Sequence, residues 1–241
     1  MPTSQSQQSP LRRWAANLPG ARSTWQLGRT LLDVWHDSSR YSQVELQQDF
    51  THQDPWNYAT DTLQVRRHTG EIAMIDRLGS THFDHVLELG CAEGIFTELL
   101  ESRSQSLVAT DFYSVVLERA RQRRTWGNHV QFTCLDLRAE PLPGTFDLIV
   151  AIHVLEYVQS PFPLHRIREK IVQALRPGGH LFLGCVAFNA TNENSWWSRY
   201  LLRGGRNINN YFIAHPQLTL VDSAVFPLTE CDSLDIVLRK A

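Results

Sequence analysis

The chain has 241 residues, 42% hydrophobic and 20% charged, with a formal net charge of -2. That suits one full α/β domain with room for extra helices, and it leaves no general basic field to hold nucleic acid. The four cysteines, Cys91, Cys134, Cys185 and Cys231, make no C-x-x-C pair, which argues against a zinc site or a disulfide framework and for reduced thiols in a cytoplasmic protein.

Residues 1–10, MPTSQSQQSP, lack the charged-then-apolar order of a secretory signal and read as a disordered tail. Residues 11–80 read as an N-terminal helical cap. Apolar residues recur there at helical spacing: Trp14 with Leu18, then Trp25, Leu31, Leu32 and Trp35, then Ile72, Ile75 and Leu78. Pro19-Gly20 and Asp54-Pro55 break the cap into pieces. Arg12, Arg13, Arg22 and Arg29 stand beside the early tryptophans. A lid is the expected role for that stretch, with docking on an anionic membrane surface as the alternative. No apolar run approaches the roughly 20 residues of a membrane span, so stable insertion is not expected.

Residues 81–241 change pattern. HVLEL (85–89), SLVATD (106–111), VQFTCLD (130–136), FDLIVAI (146–152) and HLFLGCV (180–186) read as strands. IFTELLESR, SVVLERARQR and LHRIREKIVQAL (164–175) read as helices between them, the last ended by Pro177-Gly178-Gly179. Such alternation predicts a Rossmann-like α/β fold with helices on both faces of a mostly parallel sheet. LTLVDSAVF and SLDIVLRK complete a seven-stranded sheet as an antiparallel pair at its edge.

The segment Glu88-Leu89-Gly90-Cys91-Ala92-Glu93-Gly94 follows the first strand and opens a helix. Glycine there permits a tight turn and close approach of backbone amides to a ligand, and the helix N-terminus favours negative groups. Cys91 reads as a small residue within the turn. Asp111 ends the second strand, where a carboxylate accepts both hydroxyls of a ribose, and Asp136 ends the third, in reach of an adenine amino group. Glu88, Asp111 and Asp136 are expected to converge on one crevice at the switch point of the sheet. Each acid taken alone is also an ordinary helix N-cap.

These residues resemble the class I S-adenosylmethionine-dependent methyltransferases. ELGCAEG is similar to their glycine-rich first motif, with Ala92 where many members have glycine. FDLIVAIHVLEYV and LRPGGHLFLG are similar to their fourth- and fifth-strand motifs. The resemblance implies S-adenosyl-L-methionine as cofactor, with Phe112, Leu137 and Ile152 completing the lining begun by Glu88, Gly90, Cys91, Gly94, Asp111 and Asp136. A narrower likeness rests on Asp54-Pro55-Trp56, Arg67-His68-Thr69 and LELGCAEGIFTELL, which together resemble the nodulation protein S group. Those enzymes N-methylate a deacetylated chitooligosaccharide. This resemblance implies that the helices before the sheet fold over the cofactor and that Trp56 and Arg67 line its site. Arginine suits the methionine carboxylate as a bidentate fork, and a tryptophan face suits a sulfonium or an adenine. His153 stands where the nodulation pattern carries an acid.

Methyl transfer from a sulfonium asks the protein mainly to position an acceptor and to take its proton. His153, just after the fourth strand, is the first candidate base, because histidine titrates near neutrality. Glu156 is the second, and Tyr157 is placed to orient a polar acceptor. Asn189, Asn192, Asn194, Trp196, Trp197, Arg199, Tyr200, Arg203 and Arg206 lie between the fifth strand and the edge pair, in a composition suited to a sugar or an anionic acceptor. The expected function is methyl transfer to an amine or hydroxyl of a small molecule or glycan. The alternatives are an inactive S-adenosylmethionine-binding partner subunit and a dinucleotide-dependent oxidoreductase. No metal is expected, and the sequence leaves the oligomeric state open.

Overall fold

A computed structural model describes residues 43–79, 82–158, 161–188, 199, 204–229 and 231–241. The tail and the early cap, Trp14 to Trp35 included, lie outside the described residues, as do Asn189, Asn192, Asn194, Trp196, Trp197, Tyr200 and Arg203. Leu46–Ala241 form one compact unit.

Helix α1 (Gln43–Asp49) and helix α2 (Thr62–Asp76) precede the first strand. Asp61 caps α2, its side chain accepting from the amides of Leu63 and Gln64. The strands are β1 (Phe83–Leu89), β2 (Ser104–Asp111), β3 (Val130–Cys134), β4 (Phe146–Ile152), β5 (Leu175–Phe188), β6 (Leu218–Pro227) and β7 (Cys231–Lys240). Between them lie α3 (Ile95–Glu101), α4 (Ser114–Arg123), a 3-10 turn (Leu155–Tyr157), α5 (Pro161–Ala174) and α6 (Gly205–Ile213). One seven-stranded sheet results, in the order β3-β2-β1-β4-β5-β7-β6. β1 to β5 run parallel, and β7 joins β5 and β6 antiparallel. The chain reverses its direction of strand addition between β1 and β4, so a crevice opens there at the carboxyl ends of the strands.

Alternate residues of each strand face opposite sides, and the sheet carries a core on each. Leu87, Ile149, Leu183, Ile236 and Leu238 pack with Ile167 and Ile171 of α5 and Phe212 of α6. Val86, Leu148, Val150, Phe182 and Val237 pack with Ile72, Met74 and Ile75 of α2 and Leu100 of α3. Helix α2, read as part of the cap, thus supplies one face of the sheet's own core.

The Pro-Gly-Gly expected to follow α5 lies instead inside β5. Leu175 already pairs with Phe146, and the register shifts before Leu148. A Cβ on Gly179 would come 2.9 Å from the Arg176 carbonyl and 3.1 Å from that of Asp147, so the irregular start of this strand has room only for glycine. Among the described residues no helix is long and apolar enough to cross a membrane.

Candidate functional site

The turn between β1 and α3 is left-handed at three residues: Gly90 (φ 74°), Ala92 (φ 45°) and Gly94 (φ 80°). A Cβ on Gly90 would stand 2.7 Å from Cγ2 of Val154, so glycine lets the loop after β4 close over the turn. Asp111, 8% exposed, holds the turn from the end of β2. Its Oδ2 accepts from the Ala92 amide at 3.0 Å and its Oδ1 from the Tyr113 amide at 3.0 Å. Burial raises its pKa, and those amides work against the rise. The carboxylate keeps acceptor capacity for a ligand hydroxyl beyond the amides it already serves. Glu88 is buried beneath, accepting from Thr97 Oγ1 at 2.6 Å. Burial pushes its carboxyl up to about 7 against the pull of Thr97, and Asp111 adds to the rise. Cys91 is buried between these acids, and burial keeps its thiol protonated.

Asp136 behaves differently. Its Oδ1 accepts from the Arg138 amide at 2.9 Å and pairs with the Arg138 guanidinium at 3.1 Å. Partial burial alone would raise this carboxyl; the bonds to Arg138 hold it below its ordinary value. It closes a local turn after β3. Phe112 is 41% exposed at the crevice end of β2, with Arg138 Cζ 5.3 Å from its ring centre. Leu137 and Ile152 are half-buried against the two cores.

The Asp54-Pro55-Trp56 loop docks on the glycine turn through Glu93. Glu93 Oε1 accepts from the Asp54 amide at 3.1 Å and from Arg119 Nη1 at 3.0 Å. Arg119 also donates to the His52 carbonyl at 2.8 Å. Trp56 meets Phe50 edge-on at 5.2 Å between ring centres, and Phe50 meets Tyr113 at the same separation. Tyr157 packs against this same cluster. Among the described residues, the four non-glycine residues with positive φ are Asp54, Asn57, Ala92 and His153. Asp54, Ala92 and His153 each adjoin the crevice, and backbone strain of this kind concentrates at functional sites.

Arg67 lies inside the protein, on the inner face of α2. It is 1% exposed. Its Nε donates to Gln64 at 3.0 Å, Nη1 to Glu71 at 2.5 Å, and Nη2 lies 2.8 Å from His68 Nε2. The guanidinium is the counter-ion of a buried acid pair, Glu71 of α2 and Asp235 of β7. Burial raises both of these carboxyls, and Arg67 pulls against the rise. Burial, with Arg67 beside it, holds His68 down to about 3, neutral at any ordinary pH.

His153 meets this network from the residue that follows β4. Its Nε2 is 2.7 Å from Ser233 Oγ, and Ser233 donates to Asp235 Oδ1 at 2.6 Å. Burial, then Arg67 and His68, hold the imidazole well below its ordinary pKa and so neutral. Glu156 accepts from the Val186 amide at 2.5 Å through Oε1, while Oε2 is buried without a partner among the described residues. Burial raises its carboxyl to about 7. Of the candidates further along, Arg206 is exposed on α6 and Arg199 is exposed. Sequence reasoning passed over Glu93, Arg119, His68, Glu71, Ser233 and Asp235. Glu71 was within reach of it, as the i+4 partner of Arg67 on one helix face.

A doubly wound sheet with its last strand reversed, and a glycine turn after β1, is the fold of the class I S-adenosylmethionine-dependent methyltransferases. The family model for nodulation protein S (NodS) matches residues 39–198. The chain belongs to the nodulation protein S family. It is 29% identical over 139 residues to nodulation protein S of Sinorhizobium fredii, covering 58% of this chain and 63% of that one. It is 30% identical over 139 residues to the same protein of Bradyrhizobium diazoefficiens, covering 58% and 66%. The alignments thus span less than two thirds of those relatives' length. The crystal structure of N-methyltransferase NodS from Bradyrhizobium japonicum WM9 with S-adenosyl-L-homocysteine superimposes with a TM-score of 0.70. It is 27% identical, and the match covers 81% of this chain and 96% of that one.

Proposed function

We propose that the chain is an S-adenosylmethionine-dependent methyltransferase acting on an amine or hydroxyl of a small molecule or glycan. The observation that carries this is one rim of the sheet, where the turn Gly90–Gly94, Asp111 and His153 stand at the ends of neighbouring strands β2, β1 and β4. The similar Bradyrhizobium japonicum structure is of an N-methyltransferase, which favours an amine.

The donor set fits the cofactor. Asp111 offers its spare lone pairs to the ribose hydroxyls, and Phe112 offers an exposed ring face beside Leu137 for the adenine. Asp136 stands at the adenine end. Gly90, Cys91 and Gly94 bring backbone to the ligand, with Glu88 fixing the turn from below. Trp56 and Ile152 wall the methionine end, and Arg67 sets the local potential from behind them. When bound, S-adenosylmethionine supplies a methyl on a sulfonium, whose C–S bond breaks as the acceptor takes the methyl. His153, neutral at working pH, takes the proton that the acceptor sheds. Glu156 Oε2 is a buried acceptor left for a ligand N–H or O–H. Tyr157 steadies the wall on which the acceptor lies. The four free cysteines suit a reducing compartment, and we place the protein in the cytoplasm.

Calorimetry tests the assignment first. S-adenosylhomocysteine is expected to bind and NAD is not. The reverse result would return the chain to the oxidoreductases. A labelled-methyl assay over amino sugars, phenols and glycans then separates an enzyme from an inactive partner subunit; methyl incorporation is expected with an amine-bearing sugar.

A further inference from the structure

Ser233 links His153 to Asp235 in a short hydrogen-bonded chain. Ser233 has a single hydroxyl hydrogen, and it points to Asp235 Oδ1 at 2.6 Å. Its oxygen, 2.7 Å from His153 Nε2, is therefore the acceptor in that contact, and Nε2 carries the ring proton. Nδ1 has no hydrogen-bond partner among the described residues. Ser233 and Asp235 are both fully buried. They are two residues apart on β7 and so share the sheet face that packs against α2.

The surroundings make room for this arrangement. Gly184 lies opposite Asp235 in the β5–β7 register, and a Cβ there would be 2.9 Å from Asp235 Oδ1. The Gly184 carbonyl also accepts from the His153 amide at 2.8 Å, fixing the backbone that carries the ring. Glu71 of α2 stands beside Asp235, and the Arg67 guanidinium pulls against the rise that burial gives each carboxyl. Arg67 and His68 from α2 and Asp235 from β7 are the charged or titratable groups that bear on the ring and its partner.

We propose that Ser233 and Asp235 are positioning residues for methyl transfer, holding His153 in the Nε2–H tautomer so that Nδ1 is the nitrogen that takes the acceptor's proton. The inference rests on the reading of His153 as the base. During transfer the acceptor N–H bond breaks, its proton goes to Nδ1, and the new imidazolium is steadied through Ser233 by the Asp235 carboxylate. Histidine in this setting needs its far nitrogen pinned, since the wrong tautomer presents N–H where a lone pair is required.

The test is a long-range proton–nitrogen spectrum of histidine-labelled protein, with His153→Ala used to assign the ring. The wild-type ring is expected to show a pyrrole-type Nε2 and a pyridine-type Nδ1. In Asp235→Asn the new amide donates to Ser233, whose proton turns to Nε2, so the ring is expected to switch to Nδ1–H. Ser233→Ala and Asp235→Asn are expected to lower kcat by about tenfold or more, and His153→Ala by about a hundredfold. S-adenosylhomocysteine affinity by calorimetry is expected to change little in all three. A wild-type spectrum with the proton on Nδ1 overturns the proposal directly, whatever the kinetics of the variants. Full kcat in Ser233→Ala beside a dead His153→Ala overturns it while leaving the base reading intact. Full kcat in His153→Ala removes the base reading, and this one with it.

Discussion

Asp111 does two things with one carboxylate. It ties the Ala92 and Tyr113 amides, and it leaves lone pairs for a ribose. Asp111→Ala is expected to weaken S-adenosylhomocysteine binding by about tenfold or more, since charge-assisted bonds of about 1.5–3 kcal/mol are lost. Calorimetry reads this directly, and unchanged affinity removes Asp111 from the site. Glu88 is an acid whose folded pKa, about 7, lies above its ordinary 4.5. The folded protein therefore holds this proton more tightly than the unfolded chain does. Its contribution is fully present at low pH and is lost as pH rises toward 7. Glu88→Gln removes that loss, so its stability relative to the parent is expected to rise between pH 5 and pH 8, by up to roughly 3 kcal/mol. Thermal melts at the two pH values check the sign; a constant difference would mean that Glu88 is not held protonated.

The loop from His52 to Tyr58 is fastened by tertiary bonds, since it has no ladder of its own. Asp54 closes it locally, accepting from the Tyr58 and Ala59 amides at 2.8 and 2.9 Å. Glu93 fastens it to the glycine turn and recruits Arg119 from α4. One acid thus couples the wall that carries Trp56 to the turn expected to cradle the cofactor. Glu93→Ala leaves the Asp54 amide without its acceptor and is expected to cost about 1–3 kcal/mol. Hydrogen exchange should rise in residues 51–60 while the strands stay protected. Equal exchange in both proteins would show that the loop is held by its aromatic contacts instead.

Across the whole molecule the two cores do different work. The face built on α5 and α6 is wholly apolar at its centre, whereas the face under α2 passes from apolar packing into the Arg67–Glu71–Asp235–Ser233–His153 network. Phe182, fully buried, stands on that second face beside Val237. Phe182→Ala is expected to cost about 3–5 kcal/mol through the cavity it leaves. Urea unfolding midpoints measure this, and a loss below about 1 kcal/mol would show that α2 closes onto the gap.

The periodic parts of this protein were legible in its sequence. Strands β1 to β7 and helices α3 to α5 follow the alternation of apolar runs, and the glycine turn follows from its place between a strand and a helix, because those signals are local; helix α6 lies in a stretch that carried no such signal. The long-range parts were not. Arg67 reads as an arginine facing a ligand, and only the fold puts Glu71 and Asp235 beside it; Ser233 and Asp235 look like ordinary edge-strand residues until β7 pairs with β5 and brings them to His153, 80 residues away. Burial decides the charge of each of these groups, and burial belongs to the packed sheet and helices rather than to any stretch of chain.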